Sequence, residues 1–215
     1  MSALSLNETE ALARKAARGA GLPWGLAEET GKAVRWLALR RLPSLALLAD
    51  HLEANDGRAY AALAPEDEAG VWRAPSGRLC PLVVGCALLD RRHDLAGGRT
   101  VETGPVAHPL LLLPAVARAV DEAPLGLAWE GVELWVGPEG LFVAGDALTA
   151  AASPWSRCGP APAGPPSARS LPVGDGPVPV DEATLARLAA LALRTCVPAS
   201  EASRKGAGAA SGDND

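Results

Sequence analysis

Glu102 and His108 are the two residues whose types and spacing best fit proton transfer. They lie at the start of the most apolar stretch of the chain, residues 102–120, and Gly104-Pro105 between them predicts a turn that brings the carboxylate back toward the imidazole. A carboxylate can orient an imidazole and tune it for general acid–base catalysis. We therefore predict that Glu102 and His108 are catalytic; the alternative is that His108 only caps a helix.

A second polar group lies near the C-terminus and consists of Ser200, Ser203 and Arg204. Hydroxyls and a guanidinium are natural hydrogen-bond donors to an anion, so we predict that these residues bind a small anionic metabolite. Their neighbours are small and polar, and the alternative is a solvated, disordered tail.

The cysteines offer weaker candidates. Cys86 could act as a nucleophile only with a base beside it, so a buried, inert thiol is the preferred interpretation. The four cysteines have no C-x-x-C spacing, which predicts free thiols in a reducing compartment. They are Cys80, Cys86, Cys158 and Cys196.

Neither a metal nor a cofactor is predicted. The histidines, His51, His93 and His108, are far apart and form no H-x-x-x-H signature. The sequence contains no G-x-G-x-x-G, no P-loop and no G-x-S-x-G, which are the local signatures of dinucleotide, nucleotide and serine-hydrolase sites.

Composition excludes several further classes. The net charge is −5, the pI is about 5.3 and the arginines are scattered, which argues against nucleic-acid binding. No apolar run approaches the roughly 20 residues of a membrane span, and the first residues do not form a signal peptide. We predict a cytoplasmic globular protein with no membrane partner.

The N-terminal 54 residues predict three helices. The sequence Ser5-x-x-Glu8 has the form of a capping box that begins a helix over residues 6–18. A second helix begins near Trp24, and a third covers residues 43–53. Gly31 within the second helix indicates a close helix crossing.

The middle of the chain predicts strands and a broken helix. Residues 79–89 are short and apolar and predict a buried strand, and residues 100–103 predict another. Residues 102–120 predict a buried helix kinked by Pro109 and Pro114. Either His108 caps a first turn with Pro109 at its first position, or the regular helix begins at Pro114.

The last part alternates with a period of two and then becomes rich in proline. Residues 127–144 predict three short antiparallel strands, with an exposed aromatic face around Trp129 and Trp135. Residues 151–179 contain too many prolines for a central strand, which predicts a loop or an extended strap. Asp181 caps a last helix that reaches about residue 195.

Together these patterns predict an α+β fold with a helical N-terminal unit, a small and mostly antiparallel sheet, and a C-terminal helix with an extended tail. The expected boundaries are 1–54 for the helical unit, 79–196 for an α+β body packed with it as one domain, and 197–215 for the small polar tail.

Four blocks of the sequence resemble a bacterial family known only as a domain of unknown function. The blocks are residues 5–38, 79–90, 102–114 and 195–215. The last block is a hallmark of that family, so the resemblance implies that the tail is more than a terminus.

Residues 5–54 are also similar to the N-terminal region of the malate/L-lactate dehydrogenase superfamily that lacks a Rossmann fold. The Ser-His-Gly segment of that superfamily is replaced here by Leu42-Pro-Ser-Leu45. The resemblance therefore implies that the superfamily's catalytic histidine is missing, and NAD(P) chemistry does not transfer.

Two functions follow as hypotheses. The first is a metal-independent enzyme of amino-acid or small-carboxylate metabolism, with Glu102 and His108 in acid–base roles. The second is a non-catalytic accessory or binding subunit that partners another protein, such as a dehydrogenase, or a second copy of itself.

Overall fold

The computed structural model describes residues 2–67, 69–164 and 168–196. Helices pack with antiparallel sheets, so the fold is α+β as the sequence predicted. The helices are α1 (Leu6–Gly19), α2 (Trp24–Leu39), α3 (Ser44–Ala54), α4 (Tyr60–Leu63), α5 (Pro81–Asp90), α6 (Arg92–Ala96), α7 (Leu113–Ala119) and α8 (Glu182–Leu193). A 3₁₀ turn at Pro109–Leu112 precedes α7.

The strands form one six-stranded sheet and two pairs. They are β1 (Ser2–Leu4), β2 (Val101–Thr103), β3 (Val106–Ala107), β4 (Leu125–Trp129), β5 (Val132–Gly137), β6 (Gly140–Gly145), β7 (Ala152–Ser153), β8 (Ser156–Pro160), β9 (Arg169–Ser170) and β10 (Val178–Val180). The large sheet has the order β2-β8-β4-β5-β6-β9, and the pairs are β1-β10 and β3-β7.

The three N-terminal helices form as predicted. The Ser5 hydroxyl accepts a hydrogen bond from the Glu8 amide, and the Glu8 carboxylate accepts one from the Ser5 amide at 2.8 Å, which completes the capping box. Gly31 marks a close crossing of α1 and α2, because a Cβ atom there would lie 2.9 Å from the carbonyl oxygen of Glu10.

The C-terminal helix completes this helical layer. Asp181 caps α8 by accepting a hydrogen bond from the Thr184 amide at 2.8 Å, which confirms the predicted start. Helix α8 packs mainly on α1 and also on α3. Its Arg187 forms ion pairs with Asp50 and Glu53, both on α3. The beginning and the end of the described chain therefore share one layer.

The predicted strand at residues 79–89 is wrong, since residues 81–90 form helix α5. Pro81 occupies the first turn, where its missing N–H costs no hydrogen bond. The helix is apolar on nearly every side because it packs against both α2 and α7. A segment that is apolar all round carries no period that separates a buried helix from a buried strand.

The single kinked helix predicted for residues 102–120 is also wrong. The segment contains β2, β3, the 3₁₀ turn and α7 in succession. His108 precedes the 3₁₀ turn with Pro109 at its first position, as in the first alternative, and Pro114 falls in the first turn of α7, where proline is tolerated. Leu110, Leu111, Leu112 and Leu113 are at most 1% exposed.

The three predicted strands over residues 127–144 are confirmed as β4, β5 and β6. The prediction that Trp129 and Trp135 form an exposed aromatic face is wrong. Trp129 pairs with Val132 on the inner face, whereas Trp135 pairs with Gly126 on the outer face, and both indoles are at most 3% exposed. Residues directly opposite each other share a face, so the register separates the two tryptophans.

The proline-rich segment contributes a central strand, which the sequence argued against. Strand β8 lies between β2 and β4 and is hydrogen-bonded to both. Within β8 proline occurs only at the last position, Pro160, so the prolines flank the ladder instead of interrupting it. Gly159 allows Thr100 to approach closely, since a Cβ atom there would lie 2.5 Å from the Thr100 hydroxyl oxygen.

Within residues 2–67, 69–164 and 168–196, no helix combines the length and apolar character that crossing a bilayer requires.

The glycines of α2 provide a test of the helix crossing. We expect Gly31→Ala to lower the free energy of unfolding by about 1–3 kcal/mol, because the new methyl group would press on the backbone of α1. Gly25→Ala in the same helix meets nothing within 4 Å and should be neutral or stabilising by up to about 1 kcal/mol. Urea unfolding measures both, and equal effects would show that the crossing is not tight.

Candidate functional site

The structure places Glu102 and His108 in different clefts. Glu102 is the middle residue of β2 and is exposed, while Val101 and Thr103 on either side point inward, as alternation along a strand requires. Its cleft lies on the outer face of the sheet and also contains Arg157 and Trp135. His108 lies after β3 and lines another cleft, so the predicted pair does not meet. Their individual roles stay predictions.

The cleft around His108 is here called the histidine cleft, because a second histidine lines it. Its volume is about 430 Å³, and it opens between the end of α3, the segment before α5, and the end of β3. Its lining residues are His51, Ala54, Asn55, Arg58, Ser76, Gly77, Arg78, Leu79, Ala107 and His108.

Backbone pairing fixes His108 at the wall of this cleft. Leu79 runs parallel to Val106, and the Ala107 amide donates to the Leu79 carbonyl at 3.2 Å. The His108 amide donates to the Ala151 carbonyl at 2.9 Å. His108 has a φ of 39° and a ψ of 61°, which is the left-handed region that few non-glycine residues adopt. Such strain is often found at functional sites.

His51 lies on α3 and is fully enclosed. Its Nε2 atom is 3.1 Å from the Sγ atom of Cys80. The Asn55 amide nitrogen donates to the His51 carbonyl at 2.9 Å and lies 3.5 Å from His51 Nδ1. Because that nitrogen is a donor, Nδ1 is the acceptor, and the ring proton is assigned to Nε2, which then donates to the sulfur.

The two imidazoles contact each other edge to face. Their ring centroids are 6.0 Å apart and the planes are at 89°. Burial lowers the pKa of His51 from 6.5 to about 3, and the neighbouring His108 adds to that shift. Burial also lowers the pKa of His108, with Asp50 opposing the shift and Arg78 adding to it. Both rings are therefore neutral near pH 7.

Cys80 and His51 do not form a thiolate–imidazolium pair. Burial raises the pKa of Cys80 to about 11, although the first-turn amides of Val83 and Leu82 act in the opposite direction. With the imidazole neutral as well, the thiol is unreactive in this state. Cys80 holds the ring of His51 in place, and His51 in turn packs against His108.

His108 has an unused polar atom. Its Nδ1 is buried and has no hydrogen-bond partner among the described residues. Buried polar atoms are rarely left unpaired, so an orphaned nitrogen in a cleft wall suggests a group that a ligand completes. A neutral imidazole is also a proton acceptor, as general base catalysis requires.

Two arginines give the mouth of the cleft its charge. Arg58 and Arg78 are both exposed, and neither has a carboxylate partner in the described part of the chain. Nearby acids are engaged elsewhere: Asp56 binds Arg194, and Asp50 binds Arg187. The cleft therefore presents positive charge to solvent above uncharged histidines.

The predicted anion-binding residues Ser200, Ser203 and Arg204 lie outside the described residues, as does the 197–215 tail. The described chain ends at Cys196, two residues after Arg194, whose guanidinium binds Asp56 beside Asn55 of the cleft.

Sequence reasoning missed His51, Asn55, Arg58, Arg78 and Cys80. The spacing of His51 and Asn55, one helical turn apart, could have been recognised in the sequence. Cys80 and His108 come close to His51 through tertiary contacts that no local pattern indicates. Among the described residues, no group of three or more histidine, cysteine, aspartate or glutamate side chains is placed to hold a metal ion.

The chain is thus an α+β protein. Its histidine cleft has a positively charged rim and a buried pair of imidazoles. Residues 4–80 match the profile of a family described as a protein of unknown function (DUF3726). The matched region contains α1 to α3, the lining residues of the cleft from His51 to Leu79, and Cys80, but not Ala107 or His108. It supports the predicted domain of unknown function.

A comparison with curated proteins gives no match. The proposed similarity of residues 5–54 to the malate/L-lactate dehydrogenase superfamily is not shown by any of these findings.

Stability should fall in mild acid because of the buried histidines. The pKa of His51 is lower in the folded chain than the 6.5 of an ordinary histidine, so the unfolded chain binds the extra proton. The contribution is complete above about pH 6.5 and is lost as the pH falls toward 3, at up to about 1.4 kcal/mol per pH unit for one group.

Urea unfolding between pH 7 and pH 5 measures this dependence. His51→Gln should remove about one proton from the slope while keeping a donor to Cys80. His93→Gln, at an exposed position of α6, is the matched control. An unchanged slope in the His51 variant would contradict a buried neutral imidazole.

Thiol reactivity should follow burial. We expect Cys196, which is exposed, to react first with a thiol reagent and half-buried Cys86 to react slowly. Burial raises the pKa of Cys86 to about 11 and that of Cys158 to about 12, so little thiolate is present in either. Cys80 and Cys158 should react only on unfolding, as peptide mapping would show; rapid labelling of Cys80 would mean that its contact with His51 holds a thiolate.

Proposed function

We propose that the chain is an enzyme that performs acid–base chemistry on a small carboxylate, with the histidine cleft as its active site. The supporting observation is the combination of two unpaired arginines at the mouth and a neutral, partnerless imidazole nitrogen in the wall. Amino acids and related small carboxylates have the chemistry that this cleft recognises.

Arg58 and Arg78 bind the carboxylate in this proposal. A guanidinium offers a planar set of donors that matches the two oxygens of a carboxylate. Both side chains are exposed and free of ion pairs in the described chain, so substrate binding breaks no existing ion pair of either residue.

His108 accepts a proton from the bound substrate. Burial keeps its imidazole neutral, and Arg78 acts in the same direction. A carbon next to a carboxylate or carbonyl group loses its proton more readily when a positioned base lies beside it. His51 is a positioning residue, because it contacts the ring of His108 and is itself held by Cys80.

Deuterium exchange tests the chemistry directly. The full chain is incubated in D₂O with a panel of amino, oxo and hydroxy acids, and proton NMR follows loss of the signal next to the carboxylate. We expect exchange for one class of acid and a reduction of about 10²-fold or more in His108→Asn. Asparagine is chosen because it tolerates the left-handed backbone of His108.

Binding is measured on the same panel by calorimetry. Arg78→Met should weaken the binding of the acid that undergoes exchange by about tenfold, as expected for loss of one charge-assisted contact. Arg14→Met, at an exposed position of α1, is the control and should bind like the parent chain. If exchange persists in His108→Asn, or no acid binds, the proposal is wrong.

The predicted anion-binding role of Ser200, Ser203 and Arg204 can be tested in the same assay. A chain truncated after Pro198 lacks all three residues. If they contribute to the site, the truncated chain should bind the active acid more weakly while melting at the same temperature. Equal affinity would assign anion binding to the two arginines alone.

A second candidate function is an accessory or binding subunit. The observation in its favour is the cleft on the outer face of the sheet, whose volume of about 680 Å³ exceeds that of the histidine cleft. Trp135 lines it, together with small residues of β4 such as Gly126 and Ala128. Two variants would be compared in cells. If the chain keeps its cellular function with His108→Asn but loses it with Ala128→Arg in this cleft, the result favours this candidate.

A further inference from the structure

A separate cleft contains a positive charge with no counter-ion. It is here called the tryptophan cleft, has a volume of about 290 Å³, and lies between α2, α7 and the strands β5, β6 and β9. Most of its lining is apolar, including Ala117, Val120, Val136 and Leu141. Its polar side chains are Trp36, Arg40 and Ser170.

Arg40 is held in a fixed orientation. The carbon at the centre of its guanidinium lies 3.6 Å from the centroid of the Trp36 ring, which is close stacking. Both residues lie on or at the end of α2, one helical turn apart. The stacking positions the planar group before any ligand arrives.

The hydrogen-bonding capacity of Arg40 is almost unused. One Nη atom donates to the Trp36 carbonyl over 3.5 Å, which is a long bond, and Nε is buried with no hydrogen-bond partner in the described part of the chain. No ion pair engages Arg40 within the described residues. Burial lowers its pKa, with no carboxylate acting in the other direction.

A partly buried guanidinium without an anion is costly unless a ligand supplies one. Two acidic side chains of the neighbouring helices are engaged elsewhere: Glu29 binds Lys32 and Arg118, and Glu10 binds Arg35. Among the described residues, the lining of the tryptophan cleft contains no acidic side chain. An anion from solution would supply the charge that the described lining lacks.

We propose that the tryptophan cleft binds a small apolar monocarboxylate, whose carboxylate pairs with Arg40 and whose hydrocarbon body lies against α7 and the sheet. The apolar lining argues against a highly charged ligand such as a polyphosphate, because Arg40 is the one cationic side chain among the described residues that line the cleft. The volume lies near the lower end of the range for small-molecule sites, which suits an acid as small as hexanoate or phenylacetate.

The carboxylate meets the Nη atoms first, since Nε is buried. The two Nη atoms can then face the two carboxylate oxygens end-on, a geometry that leaves the stacked guanidinium where it is. Val173 lies at the edge of the cleft and is 59% exposed, so a bound hydrocarbon chain would also cover this apolar side chain. The proposal does not depend on the histidine cleft.

The test compares an acid with its uncharged amide on the full chain. Calorimetry and NMR titration use hexanoate and hexanamide as probes, and the Arg40 Nε–Hε signal, assigned through its loss in Arg40→Met, reports the contact. We expect hexanoate to bind about tenfold or more tightly than hexanamide and to shift that signal. In Arg40→Met the two probes should bind equally.

Two further variants complete the test. Ala117→Phe fills the cleft from α7 without removing a charge and should abolish binding of both probes. Arg14→Met should bind as the parent chain does. A circular dichroism melt of each variant shows that it is folded.

The proposal is overturned if neither probe binds, if the parent chain binds both probes equally, or if Arg40→Met keeps the preference for the acid. It is also overturned if Arg78→Met removes hexanoate binding and Arg40→Met does not, because the anion would then occupy the histidine cleft. That outcome would leave the proposed enzyme intact, and the two proposals therefore fail separately.

Discussion

The turn at His108 leads from β3 into the buried 3₁₀ turn and α7, and this part of the core depends on it. The backbone enters the left-handed region at this residue and then delivers Leu110 to Leu113 into the interior, where all four side chains are almost completely buried. Four buried leucines contribute on the order of 1.5–3 kcal/mol each, which offsets the strain of one unfavourable φ angle of about 1–3 kcal/mol. The same turn places the imidazole in the cleft wall.

Local signals in the sequence were sufficient for much of the fold. The capping box at Ser5 and the aspartate at Asp181 start helices by satisfying nearby amides, so only adjacent residues are involved. The hairpins over β4, β5 and β6 follow from alternation and from glycine at their turns, where Gly131 and Gly140 have positive φ. Such features require no knowledge of distant parts of the chain.

Prediction from the sequence failed where contacts with distant parts of the chain bury a segment on all sides, because such a segment has no polar face and therefore no recognisable period. Helix α5 lies between two other helices, so its apolar residues have no polar face to set a period. Strand β8 became central because β2 and β4 enclose it, although its flanks are rich in proline. The contact of His51 with Cys80 spans 29 residues and joins a helix to the start of another, which no local motif encodes. The predicted contact between Glu102 and His108 was wrong for a local reason. Glu102 lies in a strand, and alternation along that strand turns its side chain outward.

The layer formed by α1, α2 and α8 has a consequence for synthesis on the ribosome. Helix α1 packs most extensively on α2 and next on α8, and Gly19 permits the close contact with α8 because a Cβ atom there would lie 1.8 Å from the Leu191 carbonyl oxygen. Strand β1 pairs with β10, which is made more than 170 residues later. The face of α1 that α8 covers therefore stays without its partner until translation is nearly complete, and exposed apolar surface of this kind makes a partly made chain prone to aggregation.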